Sequence, residues 1–357
     1  MPVPLLLRAG RNGGNAKGEF TMKLRLPILF VLTTIAPCFL RGGDAEAPGA
    51  GKMLKANAQM HIVANLEKSI AFYREALGLE LDAGPGPLSN SALLLQAVAH
   101  APQARARTAS FIIPGSEMKF VLIEFSGIEQ KTVRQHLYDP GVVRFSIQVR
   151  DIDAAFARVK PHGITVLTSG GGPVFTQLPR NKTRAVMMQD PDGFIFEFVQ
   201  SDPLPASDVP QSSNIYNARA SLVVQDLAQA LPFYRGVFGF KAREPGVVSD
   251  AVLALEGTPA AYVRSSITNP PGATNFWVLW EFTKIDRKTL ETRVQDPGSP
   301  ALSIQVENLG GFLKALEAAG GKVESAGGEA IALGPANRGV LVRSPDGLLI
   351  ELVENNL

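Results

Sequence analysis

The stretch DPDGFIFEFV (190–199) joins a tight turn to an apolar strand that carries one acidic residue, Glu197. A near copy, SPDGLLIELV (344–353), places Glu351 at the same step, four residues after the Gly of the turn. Pro followed by Asp and Gly favours a tight turn, because Pro presets one backbone angle and Gly tolerates a positive φ. A carboxylate within an apolar strand is costly unless it is neutralised. The chain therefore keeps an unusual acid at two equivalent places.

Three further pairs of segments recur in the same order, which indicates a tandem duplication. The pairs are NLEKSIAFYREALGLEL (65–81) with DLAQALPFYRGVFGFKA (226–242), FVLIEFSGIEQKTV (120–133) with WVLWEFTKIDRKTL (277–290), and DPGVVRFSIQVRDIDAAF (139–156) with DPGSPALSIQVENLGGFL (296–313). We therefore divide the chain into an upstream extension with a leader (1–55), a first module (56–200), a linker rich in Pro and Ser (201–214) and a second module (215–357).

Each module repeats a pattern of one strand, one helix and several strands, which predicts an α+β fold built around curved sheets. Asn65 and Asp226 are expected to cap the first helix of each module, and Gly78 and Gly239 to end it. Alternation of apolar and other residues predicts strands on both sides of the DPDG turn.

Composition excludes several classes of function. The chain has 45% hydrophobic and 19% charged residues with a net charge of +2, and it lacks a basic block of the kind that a nucleic acid backbone requires. Its single cysteine, Cys38, precedes both modules. Thiolate zinc sites and a cysteine nucleophile are therefore excluded for the two modules.

The segment MKLRLPILFVLTTIAPCFL (22–40) has basic residues followed by a short apolar run, and Ala45 and Ala47 come soon after it. This order is typical of an export signal, and the run is too short for an integral membrane span. We expect an exported protein, periplasmic or secreted. A lipid anchor through Cys38 and a buried N-terminal helix are the alternatives.

The motifs NLEKSIAFYREALG (65–78), DIDAAFARVKPHG (151–163) and DPDGFIFEFV, in this order and repeated, resemble the vicinal oxygen chelate superfamily. That superfamily includes glyoxalase I, extradiol dioxygenases, fosfomycin-resistance proteins and bleomycin-binding proteins. The resemblance covers nearly all of 56–200 and 215–355. It implies tandem paired βαβββ modules whose curled mixed sheets enclose a cavity.

The resemblance also implies a divalent metal held by three strand residues per site. The third ligand position is Glu197 or Glu351, and the other positions, seven residues before each helix cap, are occupied by Ala58, Arg144, Arg219 and Ala301. An alanine has no lone pair to donate, and an arginine is a permanent cation without an acceptor. We therefore expect that the metal site is lost in both modules and that no cofactor is bound. If this ligand assignment is wrong, Zn, Fe, Mn or Ni is expected.

Two arginines suit a second hypothesis, in which their charge replaces that of the metal. Arg144 and Arg219 are expected to form salt bridges with Glu197 and Glu351, within one module or across the two. The alternative is that the arginines reach solvent and the glutamates hydrogen-bond to the backbone. His61 is expected to face away from the cavity, because side chains alternate along a strand.

Glu124 and Glu281 recur in LIEF and LWEF, so a second carboxylate in each cavity is a further hypothesis. Two acids in one cavity suit general acid–base catalysis if the pKa of one is raised. Acids at the surface or at a strand end are the alternative.

These observations favour an exported, glyoxalase-like or dioxygenase-like protein that binds a small organic molecule, as a monomer or homodimer, without nucleic acid. One alternative is a metal-dependent lyase or extradiol-type dioxygenase. The other is a structural or partner-binding module with collapsed cavities.

Overall fold

The computed structural model describes residues 51–86, 103–177, 182–333 and 337–355. These described residues form one compact unit. The expected export signal and Cys38 lie outside the described residues. No helix in the described ranges is long and apolar enough to cross a membrane.

The strands follow the repeat that the sequence predicts. Those of the first module are β1 (Lys52–Ile62), β2 (Glu80–Ala83), β3 (Arg105–Ile112), β4 (Lys119–Ser126), β5 (Val143–Val149), β6 (Thr165–Val166), β7 (Val174–Gln177), β8 (Lys182–Gln189) and β9 (Ile195–Asp202). Those of the second module are β10 (Ile215–Val223), β11 (Lys241–Ala242), β12 (Gly246–Val247), β13 (Tyr262–Asn269), β14 (Trp277–Thr283), β15 (Pro300–Glu307), β16 (Lys322–Val323), β17 (Ile331–Ala332), β18 (Asn337–Arg343) and β19 (Leu349–Asn355).

The helices of the described residues are short, and four of them begin at side-chain caps, whereas the helix Asp250–Leu255 has none. They are α1 (Leu66–Phe72, continued by a π-helical turn Tyr73–Leu77), α2 (Ile152–Val159, continued by a 3₁₀ turn Lys160–His162), α3 (Leu227–Gly236), α4 (Asp250–Leu255), α5 (Leu309–Ala318) and a 3₁₀ turn Ala326–Gly328.

The predicted caps Asn65, Asp226 and Gly78 agree with the structure, whereas α3 ends at Gly236, before the expected Gly239. Asn65 Oδ1 accepts a hydrogen bond from the Lys68 amide at 2.9 Å, and Asp226 Oδ1 accepts one from Ala228 at 2.7 Å. Such caps satisfy amides that have no partner within the helix. Gly78 ends the α1 helical segment at a φ of 75°, a conformation that favours glycine.

The sheets combine the two modules. The first sheet has the strand order β16-β18-β19-β15-β1-β4-β3-β2, with β17 beside β18, and the second has the order β11-β13-β14-β10-β5-β9-β8-β6, with β12 beside β13 and β7 beside β8. The opening strands of one module therefore continue into the closing strands of the other. The antiparallel pairs β1–β15 and β10–β5 form the two joints. Both sheets are mixed and neither closes on itself, which confirms the expected α+β fold.

Each module builds its own core on the side of the sheets that carries α1, α2, α3 and α5, which we call the helix face. In the first module, Tyr73 packs between Phe111 and Phe120 of the first sheet, while Phe145 and Phe196 of the second sheet belong to the same buried cluster. A second cluster of this kind, around α3 and α5, forms the core of the second module. These helices thus pack against one face of the sheets, and the opposite face is available for other contacts.

Candidate functional site

A cavity of about 1620 Å³ opens on the second sheet, on the face opposite to the helix face, which we call the cavity face; α4 borders it. Both modules supply its walls. Glu197 and Val199 lie on β9, whereas Arg219, Ile267 and Val278 lie on β10, β13 and β14. Because side chains alternate along a strand, the neighbours of these residues in sequence point into the cores on the helix face.

The linker between the modules forms part of the cavity wall, a role that its composition did not reveal. Residues 203–210 line one side of the cavity. Arg150 fastens this segment, since its Nη2 donates to the carbonyl of Val209 at 2.8 Å and its Nε donates to that of Ser213 at 3.1 Å. The linker is thus held against the second sheet by hydrogen bonds to its backbone.

Three polar side chains lie in one row across the joint between β10, β5 and β9. Arg219 pairs with Ser146, and Ser146 pairs with Glu197, in the strand register. The Ser146 hydroxyl donates a hydrogen bond to Glu197. Adjacent strands are about 4.8 Å apart, so the backbones of Arg219 and Glu197 lie roughly 10 Å apart along this row. The structure therefore brings these two predicted residues into one cavity, although they belong to different modules.

The Arg219 guanidinium lies over the Phe276 ring, with Cζ 4.2 Å from the ring centroid. Within the described part of the chain it makes no salt bridge, and its Nε has no hydrogen-bond partner. Burial lowers the pKa of Arg219, and the charge of Glu197 opposes this shift. The hypothesis of a salt bridge from Arg219 is therefore wrong: Glu197 acts on it only at a distance, and Glu351 belongs to the other sheet.

Arg144 has a different partner from the one that the sequence predicted. Its side chain is only 1% exposed, and Nη1 lies 2.9 Å from Oε1 and 2.8 Å from Oε2 of Glu256. Nη2 donates to the Leu137 carbonyl at 2.6 Å, and Cζ lies 5.4 Å from the Trp280 ring centroid. The expected ion pair of Arg144 with Glu197 or Glu351 is therefore wrong. Arg144 forms instead a buried ion pair with Glu256 beside the cavity.

Glu256 directly follows α4, in a part of the second module outside the matched segments. Comparison of the repeats therefore gave no signal for it. Burial raises the pKa of Glu256 to about 7, the Arg144 guanidinium opposes this shift, and the charge of Glu197 adds to it.

The first sheet has the same geometry but a different surface. Ala58, Ser303 and Glu351 form the matching row, because Ala58 pairs with Ser303 and Ser303 with Glu351. Around this row, small and apolar side chains form one buried cluster: Ala58, Met60, Ile62, Ala104, Ala106, Ile123, Phe125, Val294, Ala301, Leu341 and Leu349. Burial raises the pKa of Glu351, and the Ser303 hydroxyl opposes this by hydrogen bonding. Alanine thus occupies both positions at which the second sheet has arginine.

Glu124 and Glu281 do not line the cavity, and this hypothesis is wrong. Both lie on the helix face, one residue out of phase with cavity residues such as Val278. Glu281 Oε2 accepts from the Leu227 amide at 2.8 Å and from Arg264 Nη2 at 2.7 Å. Glu124 accepts from Arg107. These acids hold helix and strand together, and alternation along the strand would have placed them there.

His61 agrees with the expectation that it faces away from the cavity. It is fully buried on the helix face, its ring stacks on Phe194 at 4.5 Å, and Nε2 lies 2.9 Å from Oδ2 of Asp190. The Tyr73 hydroxyl donates to the same oxygen at 2.7 Å. Burial alone would raise the pKa of Asp190, but the charge of His61 and these hydrogen bonds outweigh it and lower the pKa. The cluster joins β1 to the DPDG turn.

The second module replaces this polar cluster by the simpler pair Leu222 and Ser344 at the matching positions. Within the described residues, only His61, Asp190 and Asp192 bring three His, Cys, Asp or Glu donor atoms within 4.8 Å of one another. That group lies on the helix face, where its side chains form hydrogen bonds with one another or with neighbouring residues.

The donor set on the cavity faces does not fit the metal that the resemblance implies. The second sheet offers the Glu197 carboxylate and the Ser146 hydroxyl beside Arg219, which carries a positive charge. The first sheet offers Glu351 and Ser303 beside alanine. Divalent metals in enzymes require several neutral or anionic donors, and neither an arginine nor an alanine is one.

Comparisons with known proteins agree with the fold. The profile of the Glyoxalase/Bleomycin resistance protein/Dioxygenase superfamily matches residues 57–198 and 218–352. Glyoxalase I from Zea mays is similar in structure, with a TM-score of 0.50, 17% identity, and coverage of 86% of this chain and 93% of that one. A putative dioxygenase from Bacillus subtilis has a TM-score of 0.52 with 14% identity, over 86% of each chain. No curated protein sequence matches significantly. The chain belongs to the Glyoxalase/Bleomycin resistance protein/Dioxygenase superfamily.

Proposed function

We propose that this protein binds a small organic molecule, without a metal, in the cavity of the second sheet. The observation that carries the proposal is a cavity of about 1620 Å³ at which arginine occupies a position where the superfamily resemblance implies a metal ligand. Ligand sites in proteins commonly measure about 300–1000 Å³ and are mostly apolar, with a few polar groups that orient the ligand. This cavity is large enough, and Val199, Ile267 and Val278 supply apolar walls.

The packing of the first sheet supports different roles for the matching faces of the two sheets. Its matching face is filled by the buried cluster around Ala58 and Ala301. The structural interpretation with a collapsed cavity therefore suits the first sheet, whereas ligand binding suits the second.

Binding is tested with N-phenyl-1-naphthylamine, a neutral aromatic probe whose emission rises in apolar surroundings. Wild-type protein is expected to bind one probe per chain. Val278→Phe, which narrows the cavity, is expected to weaken binding. Val121→Phe is the matched control, because Val121 occupies the same repeat position on the first sheet. Absence of saturable binding, or equal binding by wild type and Val278→Phe, would refute the proposal.

Metal independence is tested by elemental analysis of wild-type protein and the Glu197→Gln variant. We expect far less than one Zn, Fe, Mn or Ni per chain in both proteins. A stoichiometric metal that disappears in Glu197→Gln would instead support a metal-dependent lyase or extradiol-type dioxygenase.

We also propose export, on the basis of the leader-like segment 22–40. Sequencing of the N-terminus of protein expressed from the full chain is expected to show removal of this segment. Retention of the lipid-free, uncut N-terminus in the cytoplasm would contradict export. A Cys38→Ala variant separates free export from lipid anchoring. If the protein is anchored through Cys38, the variant is lost from the membrane fraction, and if it is not, the substitution changes nothing.

A further inference from the structure

We infer that the ligand is an organic monoanion, with an apolar aromatic body and one carboxylate or sulfonate group that binds to Arg219. This inference rests on the proposed function, because it requires that the cavity be a binding site. Its basis is the arrangement of charges around the cavity.

The first step concerns the hydrogen-bonding capacity of Arg219. A guanidinium has five N–H donors, and a buried donor normally finds an acceptor; Arg219 is half-buried, and its buried Nε has none among the described residues. Arg219 lines the cavity, yet within the described ranges its guanidinium donates no hydrogen bond and forms no ion pair. Its contact is instead with the Phe276 ring, whose centroid lies 4.2 Å from Cζ. An oxyanion in the cavity would supply the acceptors that the protein does not.

The second step concerns the other charges. Arg144 is already paired with Glu256, and both side chains are 1% exposed. Glu197 accepts a hydrogen bond from Ser146. Arg219 is therefore the charge at this row of the cavity that lacks a close counter-charge, since two strand spacings of about 4.8 Å separate β10 from β9. A carboxylate that contacts Arg219 would lie closer to it than Glu197 does.

The third step limits the charge and the shape of the ligand. Glu197 lies in the same row, so a second negative charge on the ligand would be repelled by this carboxylate. The remainder of the ligand would meet Ile267, Phe276 and Val278, together with the Trp280 indole. These side chains favour a flat, apolar body. One oxyanion on an aromatic framework meets both requirements.

Two fluorescent probes with a common framework test the inference. 8-Anilino-1-naphthalenesulfonate differs from N-phenyl-1-naphthylamine by its sulfonate, so a comparison of their affinities isolates the contribution of one negative charge. Wild-type protein is expected to bind the sulfonate more tightly than the neutral probe. Arg219→Gln is expected to weaken binding of the sulfonate by about 10- to 100-fold, as for loss of a hydrogen bond to a charged group. Binding of the neutral probe should change by less than about threefold.

Arg134→Gln is the matched control, because it removes the same charge from an exposed residue that does not line the cavity. It is expected to leave the affinities for both probes nearly unchanged. Arg219→Gln should keep the wild-type unfolding midpoint, since Arg219 makes no hydrogen bond that the variant would lose. A folded Arg219→Gln protein that binds the sulfonate as tightly as wild type would overturn the inference.

The outcomes distinguish this inference from the proposed function. If neither probe binds wild-type protein, the proposed function fails. If both probes bind equally and Arg219→Gln changes neither affinity, the cavity is a ligand site but the preference for an anion is wrong. Displacement by 1-naphthoate and by 1-naphthyl phosphate tests the charge. Tighter binding of the phosphate, which carries more negative charge, would refute a monoanionic ligand.

Discussion

Replacement of Asp346 by Asn in the second PDG turn should change how the stability of the protein depends on pH. The side chain is 5% exposed, and Oδ1 accepts a hydrogen bond from the Gln225 amide at 2.8 Å. Burial raises the pKa of Asp346 from 3.8 to about 6, opposed by the Gln225 amide and the charge of Arg287. An asparagine oxygen can still accept from Gln225 but carries no charge, so the variant removes the ionisation and keeps the hydrogen bond.

The sign follows from the direction of the shift. A carboxyl whose pKa is raised in the folded state binds a proton there more tightly than in the unfolded chain. Its ionisation therefore lowers the free energy of unfolding as the pH rises from about 4 to about 6, and the loss stays constant above that. A rise of about 2 pKa units corresponds to at most about 3 kcal/mol. Between about pH 4.5 and pH 8, the free energy of unfolding of Asp346→Asn should thus increase by about 2 kcal/mol relative to that of wild type.

Urea unfolding of both proteins at several pH values, followed by tryptophan fluorescence, measures this difference. Glu317→Gln is the control, because it removes one carboxylate from an exposed position of α5. Its effect should stay within about 0.5 kcal/mol at every pH. A difference between Asp346→Asn and wild type that is constant with pH, or that falls as the pH rises, would refute the reasoning.

Two further predictions concern the buried polar pairs. Arg144→Met should lower the free energy of unfolding by about 3–5 kcal/mol, because it leaves Glu256 buried without a counter-charge. The double variant Arg144→Met with Glu256→Met should recover most of this loss. A double-mutant cycle measured by urea unfolding that shows additive effects would contradict the pairing. His61→Leu alone should destabilise the fold because Asp190 loses its partner, whereas His61→Leu with Asp190→Ser, the pair of the second module, should restore stability. The lowered pKa of Asp190 should also make wild type lose stability as the pH falls through that pKa, and thermal unfolding below about pH 4 should show a smaller loss for the double variant.

Much of the fold was predictable because the signals are local. Asn65 and Asp226 cap helices where the sequence placed caps, and the positive φ of Gly193, 91°, is the conformation that the PDG turn requires. Alternation along the strand placed His61 on the helix face. The same rule, applied to Glu124, would have removed it from the set of cavity residues.

The candidate site was predictable only in part. The PDG turn identified Glu197, and counting back from the helix caps identified Arg219, which shares one cavity with Glu197. It also identified Arg144, but not Glu256, whose segment has no counterpart among the matched repeats. Recognition of an ion pair across 112 positions requires the path of the chain between them.

The sequence by itself determined the duplicated modules, the turns, the caps and the identity of the residues at each ligand position, since these depend on backbone preferences and on side-chain chemistry within a few residues. Only the tertiary structure decided which strands share a sheet. Each sheet joins the opening half of one module to the closing half of the other. Arg219 therefore lies in the same row as Glu197, whereas Glu351 lies in the other sheet. Whether a cavity face stays open depends on all the side chains that converge on it. Small and apolar side chains, including Ala58 and Ala301, surround the row of Glu351, whereas Arg144 and Arg219 occupy the matching positions beside Glu197.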